Sequence, residues 1–361
     1  MNNYEKLRQI LHKHPVGAPK SKAFDEILRT LFTPDEVEVA LGMGFAPRSI
    51  GRIASLSGVS KDEVHERCES MANKGIVFSR EKGDEMGYAL LPTLPGIFEF
   101  PFMTGGGTPM HDRLGKLWEE YHYEAMGNEF SGSKTPLTRI IPVEETVKMY
   151  VEVLPYEELS KMLDRAKTFA LAQCACRVTV KACDHPKVVC LIFDKTAEFL
   201  IERGFAHRIT RNQAEQKLRH AEDVGLVHTT NNSQDRLTFV CNCCSCCCTI
   251  LRGFTQLHNP NAFLKSRWHA EVDSDQCAGC GVCEDERCPV GAVKVVDDVS
   301  MVDSTRCIGC GLCATSCQED AIKMIFRGTE ILDSPATVSE MGIKVAMEKG
   351  KTDDFLKLME W

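Results

Sequence analysis

Residues 277–289 read CAGCGVCEDERCP, and residues 307–317 read CIGCGLCATSC. Each stretch holds four cysteines, and two-residue spacers separate the first three. Such spacers let a tight loop bring three thiolates to one small inorganic core, as an iron–sulfur cluster requires. A short apolar segment follows each stretch, at 290–293 and 321–324. The repeat predicts two similar halves of one electron-carrying domain.

The two stretches resemble the ligand motifs of bacterial two-[4Fe–4S] ferredoxins, over about residues 270–328. In that family the fourth ligand of each cluster comes from the other motif. The resemblance implies one cluster on Cys277, Cys280, Cys283 and Cys317, and a second on Cys307, Cys310, Cys313 and Cys288. The sequence departs from the family's pattern at two places. The first motif has four residues rather than three between its last two cysteines, and the second motif has Gln318 instead of proline after its last cysteine. Zinc held by the C-x2-C pairs is the alternative.

Ten further cysteines form a central field, and they are the unusual part of the chain. They are Cys174, Cys176, Cys183, Cys190, Cys241, Cys243, Cys244, Cys246, Cys247 and Cys248. Six of them fall within residues 241–248, where free thiols would be a reactive liability. Metal binding keeps thiolates deprotonated and shielded, so we expect a subset of the ten to be ligands. The neighbouring ferredoxin motifs favour at least one further iron–sulfur cluster.

Strand geometry limits how these cysteines share a metal. Adjacent residues of an extended strand point to opposite faces, so the pairs Cys243–Cys244 and Cys247–Cys248 cannot all face one cluster without a sharp turn. Either two clusters share the segment, or some cysteines are not ligands. The vicinal pairs resemble those of the noncubane cluster domains of heterodisulfide-reductase-type proteins, although the glycine of those motifs is missing. The resemblance suggests an atypical cluster.

The whole field also resembles a set of uncharacterised bacterial and archaeal iron–sulfur proteins, over about residues 140–328. The motifs that carry this resemblance are C-x-C-R at 174–177 and C-N-C-C-x-C-C-C at 241–248. In these proteins the field precedes a dicluster ferredoxin domain. The resemblance supports cluster binding and names no substrate.

Residues 196–205 and 211–224, which lie between the cysteines at 174–190 and those at 241–248, show helical periodicity. Asn212 is the expected N-cap of the second helix, and Gly225 is expected to end it. A mainly helical scaffold is therefore expected. Arg177 is a candidate hydrogen-bond donor to a cluster sulfur, or an ordinary surface arginine. His228, His258 and His269 flank the field as candidate ligands or proton donors, although isolated histidines are more often structural.

The N-terminal third has the pattern of a winged helix: helices at 49–56 and 60–73, then strands at 76–79 and 88–91. Helix 60–73 and its flank carry four acids against three bases, and DNA binding needs a basic surface. We therefore expect docking or dimerisation here rather than DNA binding.

The glycine triplet at 105–107 is typical of a linker. The C-terminal tail shows helical patterns from 338 to 349 and from 353 to 359, and we expect Trp361 to pack against a neighbouring subunit or domain.

Composition sets the remaining limits. The chain has 361 residues, 43% of them hydrophobic and 26% charged, with a net charge of −8, which argues against a nucleic-acid partner. Its first ten residues are too charged for a signal peptide, and no apolar run reaches membrane-spanning length. We expect a cytoplasmic protein of an anaerobic or low-oxygen setting, with redox partner proteins and self-association through the winged helix.

The predicted fold class is α+β with several domains. These are a winged helix-turn-helix domain (1–100), a linker or arm (101–140), a mainly helical cysteine-rich domain (141–268), a dicluster ferredoxin-like domain (269–328) and a helical tail (329–361). The predicted function is electron transfer between the ferredoxin-type clusters and a central cluster. The alternatives are an oxidoreductase that reduces a small molecule or a thiol/disulfide, and a redox-sensing regulator. No catalytic residues are identifiable.

Overall fold

The structure, a computed structural model, describes residues 2–83, 85–328 and 333–359. Its N-terminal part consists of helices and a small antiparallel sheet of order β1–β3–β2. The elements are α1 (Asn3–His12), α2 (Lys22–Leu31), α3 (Pro34–Ala40), β1 (Arg48–Ser49), α4 (Ile50–Ser57), α5 (Lys61–Asn73), β2 (Val77–Lys82) and β3 (Glu85–Leu90). Ser49 and Ser60 cap α4 and α5 by accepting backbone N–H bonds. The predicted order of two helices and a hairpin is present, while the winged-helix assignment itself stays a prediction.

The segment that the sequence suggested as a linker or arm is packed rather than extended. It contains α6 (Pro109–Tyr121), a π-helical turn (His122–Met126) and α7 (Gly127–Phe130). Tyr121 stacks on Phe24 of α2, with ring centroids 4.6 Å apart, and donates a hydrogen bond to the Pro19 carbonyl. This segment therefore adds to the N-terminal core.

The central part contains a six-stranded sheet in which every pairing is antiparallel, of order β4–β8–β9–β6–β5–β7. The strands are β4 (Thr138–Ile141), β5 (Phe169–Gln173), β6 (Val188–Phe193), β7 (His207–Ile209), β8 (Val227–Asn231) and β9 (Phe239–Cys243). The prediction of a mainly helical cysteine-rich domain is thus wrong. Strands of three to six residues give a weak periodic signal, so the sequence does not predict this sheet.

Helices accompany this sheet: α8 (Leu159–Leu163), α9 (Ala175–Val180), α10 (Asp194–Glu202), α11 (Arg211–Asp223) and α12 (Thr249–Thr255). The two predicted helices, α10 and α11, are confirmed. The expected cap Asn212 is wrong, because Thr210 caps α11 in a capping box with Gln213. Gly225 follows the helix with a left-handed φ of 76°.

The two faces of the central sheet are covered by different layers. Ala170 and Ile192 join the core shared with the N-terminal helices, whereas Leu171, Leu191 and Val240 pack with α11. Since strand residues alternate between faces, Cys190 lies on the side facing the N-terminal part.

The C-terminal part holds two small antiparallel sheets and two helices. They are β10 (Trp268–Val272) paired with β13 (Ile322–Phe326), β11 (Val293–Val296) paired with β12 (Val299–Val302), α13 (Val338–Glu348) and α14 (Thr352–Leu358). The predicted tail helices are confirmed, and Trp361 lies outside the described residues. The fold class shown is therefore mixed α and β, with several small sheets; a ferredoxin fold by name stays a prediction.

Candidate metal centres

The structure divides the ten central cysteines into two groups. Six of them, the thiol row, line one cavity, which Cys244 also borders: Cys174, Cys176, Cys190, Cys241, Cys243 and Cys248. The other four, the four-thiol site, converge on one another: Cys183, Cys244, Cys246 and Cys247. The vicinal pairs are split between the groups: Cys243, at the end of β9, and Cys248, at the start of α12, belong to the row, and Cys244 and Cys247 of the turn between them belong to the four-thiol site.

Neighbouring thiols of the row lie close enough for one to shift the pKa of the other. The consecutive pairs are Cys174–Cys176, Cys176–Cys248, Cys248–Cys243, Cys243–Cys241 and Cys241–Cys190. The Sγ atoms of Cys243 and Cys248 are 3.3 Å apart. Six adjacent sulfurs on one wall form a donor set suited to a thiophilic metal or an iron–sulfur core.

The cavity beside the row measures about 370 Å³. Its other walls are largely apolar and come from the N-terminal part, including Phe45, Phe78, Leu94, Phe100 and Met103. Volume and lining are those of a small-molecule or cofactor site. The N-terminal part therefore forms a wall of the central site.

Glu99 is a carboxyl group on the wall of this cavity that sequence reasoning missed. Its Oε2 accepts a hydrogen bond from the Gly96 backbone N–H at 2.7 Å. Burial raises the pKa of Glu99 to about 8, and the nearby Cys176 adds to the shift. The signal was available in the sequence, because a single acid interrupts the apolar run 97–102. A carboxyl with this pKa can hold a proton at neutral pH.

Arg177 lies at the junction of the two cysteine groups and is fully buried. Its Nη1 donates to Cys244 Sγ at 3.3 Å, and its Nη2 donates to the Asn242 carbonyl at 2.8 Å. Although burial opposes it, the neighbouring Cys174 and Cys244 thiols hold the pKa of Arg177 above its ordinary value. Its Nε–H has no partner among the described residues. The interpretation of Arg177 as a surface arginine is therefore wrong, and its orphaned N–H suits the sulfide of a bound cluster.

The three candidate histidines have different surroundings. His228 is buried, and both of its ring nitrogens have side-chain partners: Asn242 Oδ1 at 2.7 Å and Glu222 Oε1 at 3.0 Å. His258 is exposed, and His269 lies on β10, where burial lowers its pKa. The described contacts of these three residues include no cysteine sulfur.

The ferredoxin-type cysteines border two small cavities in the combinations that the resemblance implies. Cys277, Cys280, Cys283 and Cys317 line a cavity of about 70 Å³, which Cys313 also borders. Cys288, Cys307, Cys310 and Cys313 line one of about 20 Å³. Backbone N–H groups of Ser300 and Ala292 donate to Cys277 and Cys288, as thiolate ligands require. Cys313 borders both cavities, and the assignment of four ligands to each of two clusters stays a prediction.

The ferredoxin-type region and the thiol row share one apolar core. Cys243 and Cys248 of the row belong to the same buried cluster as Cys283, Cys307 and Cys310. The Val143 backbone N–H, just after β4, donates to the Cys310 carbonyl at 2.9 Å.

A polar connection runs beside this core. Arg287, between two ferredoxin-type ligands, donates to the Glu222 and Asp223 carbonyls at the end of α11. Glu222 contacts His228, which contacts Asn242 next to the row. The two regions are thus directly packed on each other.

Comparison with known proteins agrees with part of this picture. Residues 301–323 match the family of 4Fe-4S binding domains, and this match includes Cys307, Cys310, Cys313 and Cys317. No curated protein and no solved structure matches the chain. Within the described ranges, no helix has the length and apolarity needed to cross a membrane. An iron–sulfur-binding domain is therefore indicated for the C-terminal region.

Proposed function

We propose that this chain is an iron–sulfur electron-transfer protein in which two ferredoxin-type clusters exchange electrons with a third centre on the thiol row. Clusters bound at these cysteines supply one-electron transfer. The observation that carries the proposal is the shared core, in which Cys243 and Cys248 pack with Cys283, Cys307 and Cys310. Electron transfer between centres is favoured by direct packing of their ligands.

The chain's own residues have three tasks in this function. The cysteines hold the centres, the N-terminal wall excludes water from the row, and Arg177 offsets negative charge. The C-terminal half of α5 contacts the central part, because Glu69 forms a two-pronged ion pair with Arg203, with N–O distances of 2.8 and 2.9 Å. This contact supports a docking role for the N-terminal unit. External redox partners and self-association stay predictions.

Metal analysis of protein purified without oxygen tests the third centre. We expect about twelve or more irons per chain, with matching sulfide, since two cubanes account for about eight. Cys241→Ser/Cys243→Ser should fall to about eight. Cys68→Ala, which removes the lone buried cysteine of α5, is the control and should retain the full content. About eight irons in the unmodified protein, or no loss in the double variant, would refute a third cluster on the row.

A second function, reduction of a small molecule in the cavity, is favoured by Glu99. A disulfide takes up two electrons and two protons and gives two thiols; clusters at these cysteines would supply the electrons, Glu99 would supply one proton, and solvent would supply the other. Protein reduced with dithionite and freed of excess reductant should convert diphenyl disulfide to thiophenol, more slowly in Glu99→Gln. Oxidised glutathione, which is larger and charged, should not react. Equal reactivity towards both disulfides, or none towards either, would rule out this function.

A further inference from the structure

The four-thiol site has a geometry unlike that of the other cysteine groups. The Sγ atoms of Cys183, Cys244, Cys246 and Cys247 all lie within 4.8 Å of one another. Cys183 Sγ is 3.8 Å from Cys244 Sγ and 3.6 Å from Cys247 Sγ. Among the described residues, this is the one set of three or more Cys, His, Asp or Glu side chains that converges so closely.

These separations fit a single tetrahedral ion. Zinc–thiolate bonds of about 2.3 Å place the corners of a tetrahedron about 3.8 Å apart. A cubane must hold its four thiolates further apart, because each binds a different iron atom; by the same measure Cys243 and Cys248, 3.3 Å apart, could not both be ligands of one cubane. The eight ferredoxin-type cysteines show this contrast, because they form no such tight group.

The chain supplies these four ligands from two loops. Three come from the turn at 244–247 between β9 and α12, and Cys183 comes from the loop between α9 and β6. The elements next to these loops carry members of the thiol row: Cys176 lies in α9, and Cys248 caps α12. A metal that ties them together would fix the spacing between Cys176 and Cys248.

Charge gives a second, independent observation. Arg177 is 0% exposed, and within the described ranges no carboxylate forms an ion pair with it. A buried cation without a counter-charge is strongly destabilising. Four thiolates on a divalent ion carry a net charge of −2, and Arg177 Nη1 lies 3.3 Å from Cys244 Sγ. The Ala182 backbone N–H also donates to Cys247, which helps to hold a thiolate there.

We propose that Cys183, Cys244, Cys246 and Cys247 bind one Zn²⁺ ion in a structural site separate from the iron–sulfur clusters. All four positions are filled by protein ligands, which is typical of structural rather than catalytic zinc. This site does not depend on the thiol row holding a cluster, because the two use different cysteines.

The test counts zinc and iron separately in full-length protein, purified without oxygen from cells grown with both metals. We expect about one zinc per chain. Cys183→Ser/Cys246→Ser should lose most of the zinc and keep its iron and sulfide. Cys241→Ser/Cys243→Ser should lose iron and keep zinc, which separates this site from the proposed third cluster. Cys68→Ala should lose neither metal.

Zinc K-edge absorption of the unmodified protein covers the case in which a variant does not fold. We expect four sulfur neighbours at about 2.3 Å and no iron neighbour. A mixed nitrogen or oxygen shell, or an absence of zinc, would overturn the proposal. So would one sulfide-free iron in its place, or loss of several irons and sulfides from Cys183→Ser/Cys246→Ser.

Discussion

Arg177 places a buried positive charge beside the cysteines of the central site. It is fully buried, it donates to Cys244 Sγ, and its remaining Nε–H lies at the wall of the thiol-lined cavity. A cation in this place favours the reduced, more negative form of a neighbouring centre. Its charge should therefore help to set the potential of the centre on the thiol row.

Arg177→Met should lower the midpoint potential of the central cluster. A hydrogen bond to a charged group is worth about 1.5 kcal/mol, which corresponds to about 60 mV for one electron. A redox titration followed by electron paramagnetic resonance measures the shift. Arg177→Lys keeps the charge and should shift the potential less. A central potential unchanged in Arg177→Met would contradict this role.

Glu99 should make stability depend on pH in an unusual direction. Burial raises its pKa from 4.5 to about 8 in the folded protein, so between these values the folded state binds more protons than the unfolded state. Its contribution to stability is then present at low pH and declines as the pH rises, by at most about 1.4 kcal/mol per pH unit.

Thermal unfolding of oxygen-free protein from pH 5 to pH 8.5 checks this expectation. Glu99→Gln cannot ionise, so relative to the unmodified protein it should gain stability as the pH rises. Glu145→Gln, at an exposed position paired with Lys148, is the control. Parallel pH curves for Glu99→Gln and the unmodified protein would show that Glu99 does not titrate as described.

Among elements, the loop 307–310 depends on a glycine. Gly309 has a left-handed φ of 71°, and an added Cβ would lie 2.1 Å from the Trp268 carbonyl oxygen and from Ser266 Oγ. Gly291 has a similar φ of 62°, with open space around it. An alanine at either glycine would strain the backbone, but only an alanine at Gly309 would also collide with neighbouring atoms. Comparing the two variants therefore separates the two effects.

Gly309→Ala should lose about four irons per chain, because the loop that carries Cys307 and Cys310 cannot keep its place against β10. Gly291→Ala pays the same left-handed strain, about 1–2 kcal/mol, and should keep its clusters. Iron and sulfide analysis of both variants shows whether cluster binding depends on the close packing at Gly309. Equal iron content in the two would show that the close packing at Gly309 is not needed.

The sequence predicts some of these elements and misses others for physical reasons. The helices α10, α11, α13 and α14 have clear periodicity, and each was predicted. The six-stranded sheet was not, because its strands pair across long sequence separations: β4 pairs with β8, some ninety residues later. The division of the vicinal cysteines arises at the turn 244–247, which follows the end of β9, and which thiols meet Cys183 depends on tertiary packing.

At the scale of the whole molecule, the tail helices α13 and α14 pack against the N-terminal part. The Phe45 backbone N–H donates to the Leu358 carbonyl of α14 at 2.8 Å. Glu129 of α7 accepts from Lys351 at 2.6 Å and lies 3.4 Å from Lys349, whose pKa burial lowers to about 8. The tail helices thus fasten onto the same N-terminal part that forms a wall of the cavity.

Glu129→Ala should loosen the tail, because it leaves Lys349 buried without its carboxylate. Breaking one side of such a pair costs about 3 kcal/mol, so amide hydrogen exchange in α13 and α14 should be about a hundredfold faster. Glu145→Ala, which removes an exposed pair, should leave this exchange unchanged. Exchange in the tail helices that is identical in both variants would contradict the expected anchoring.

The shared core of the two metal-binding regions has a consequence for how cells make this protein. Cys243, Cys248, Cys283, Cys307 and Cys310 are interior residues of that core as well as candidate ligands. Because these core residues are also ligands, we expect the core to complete its folding only when the clusters are inserted. Folding and cluster insertion would then occur together. Newly synthesised chains would remain incompletely folded, and therefore sensitive to proteases, until iron and sulfide are supplied. Under iron starvation we therefore expect fewer molecules of this protein rather than a pool of empty ones.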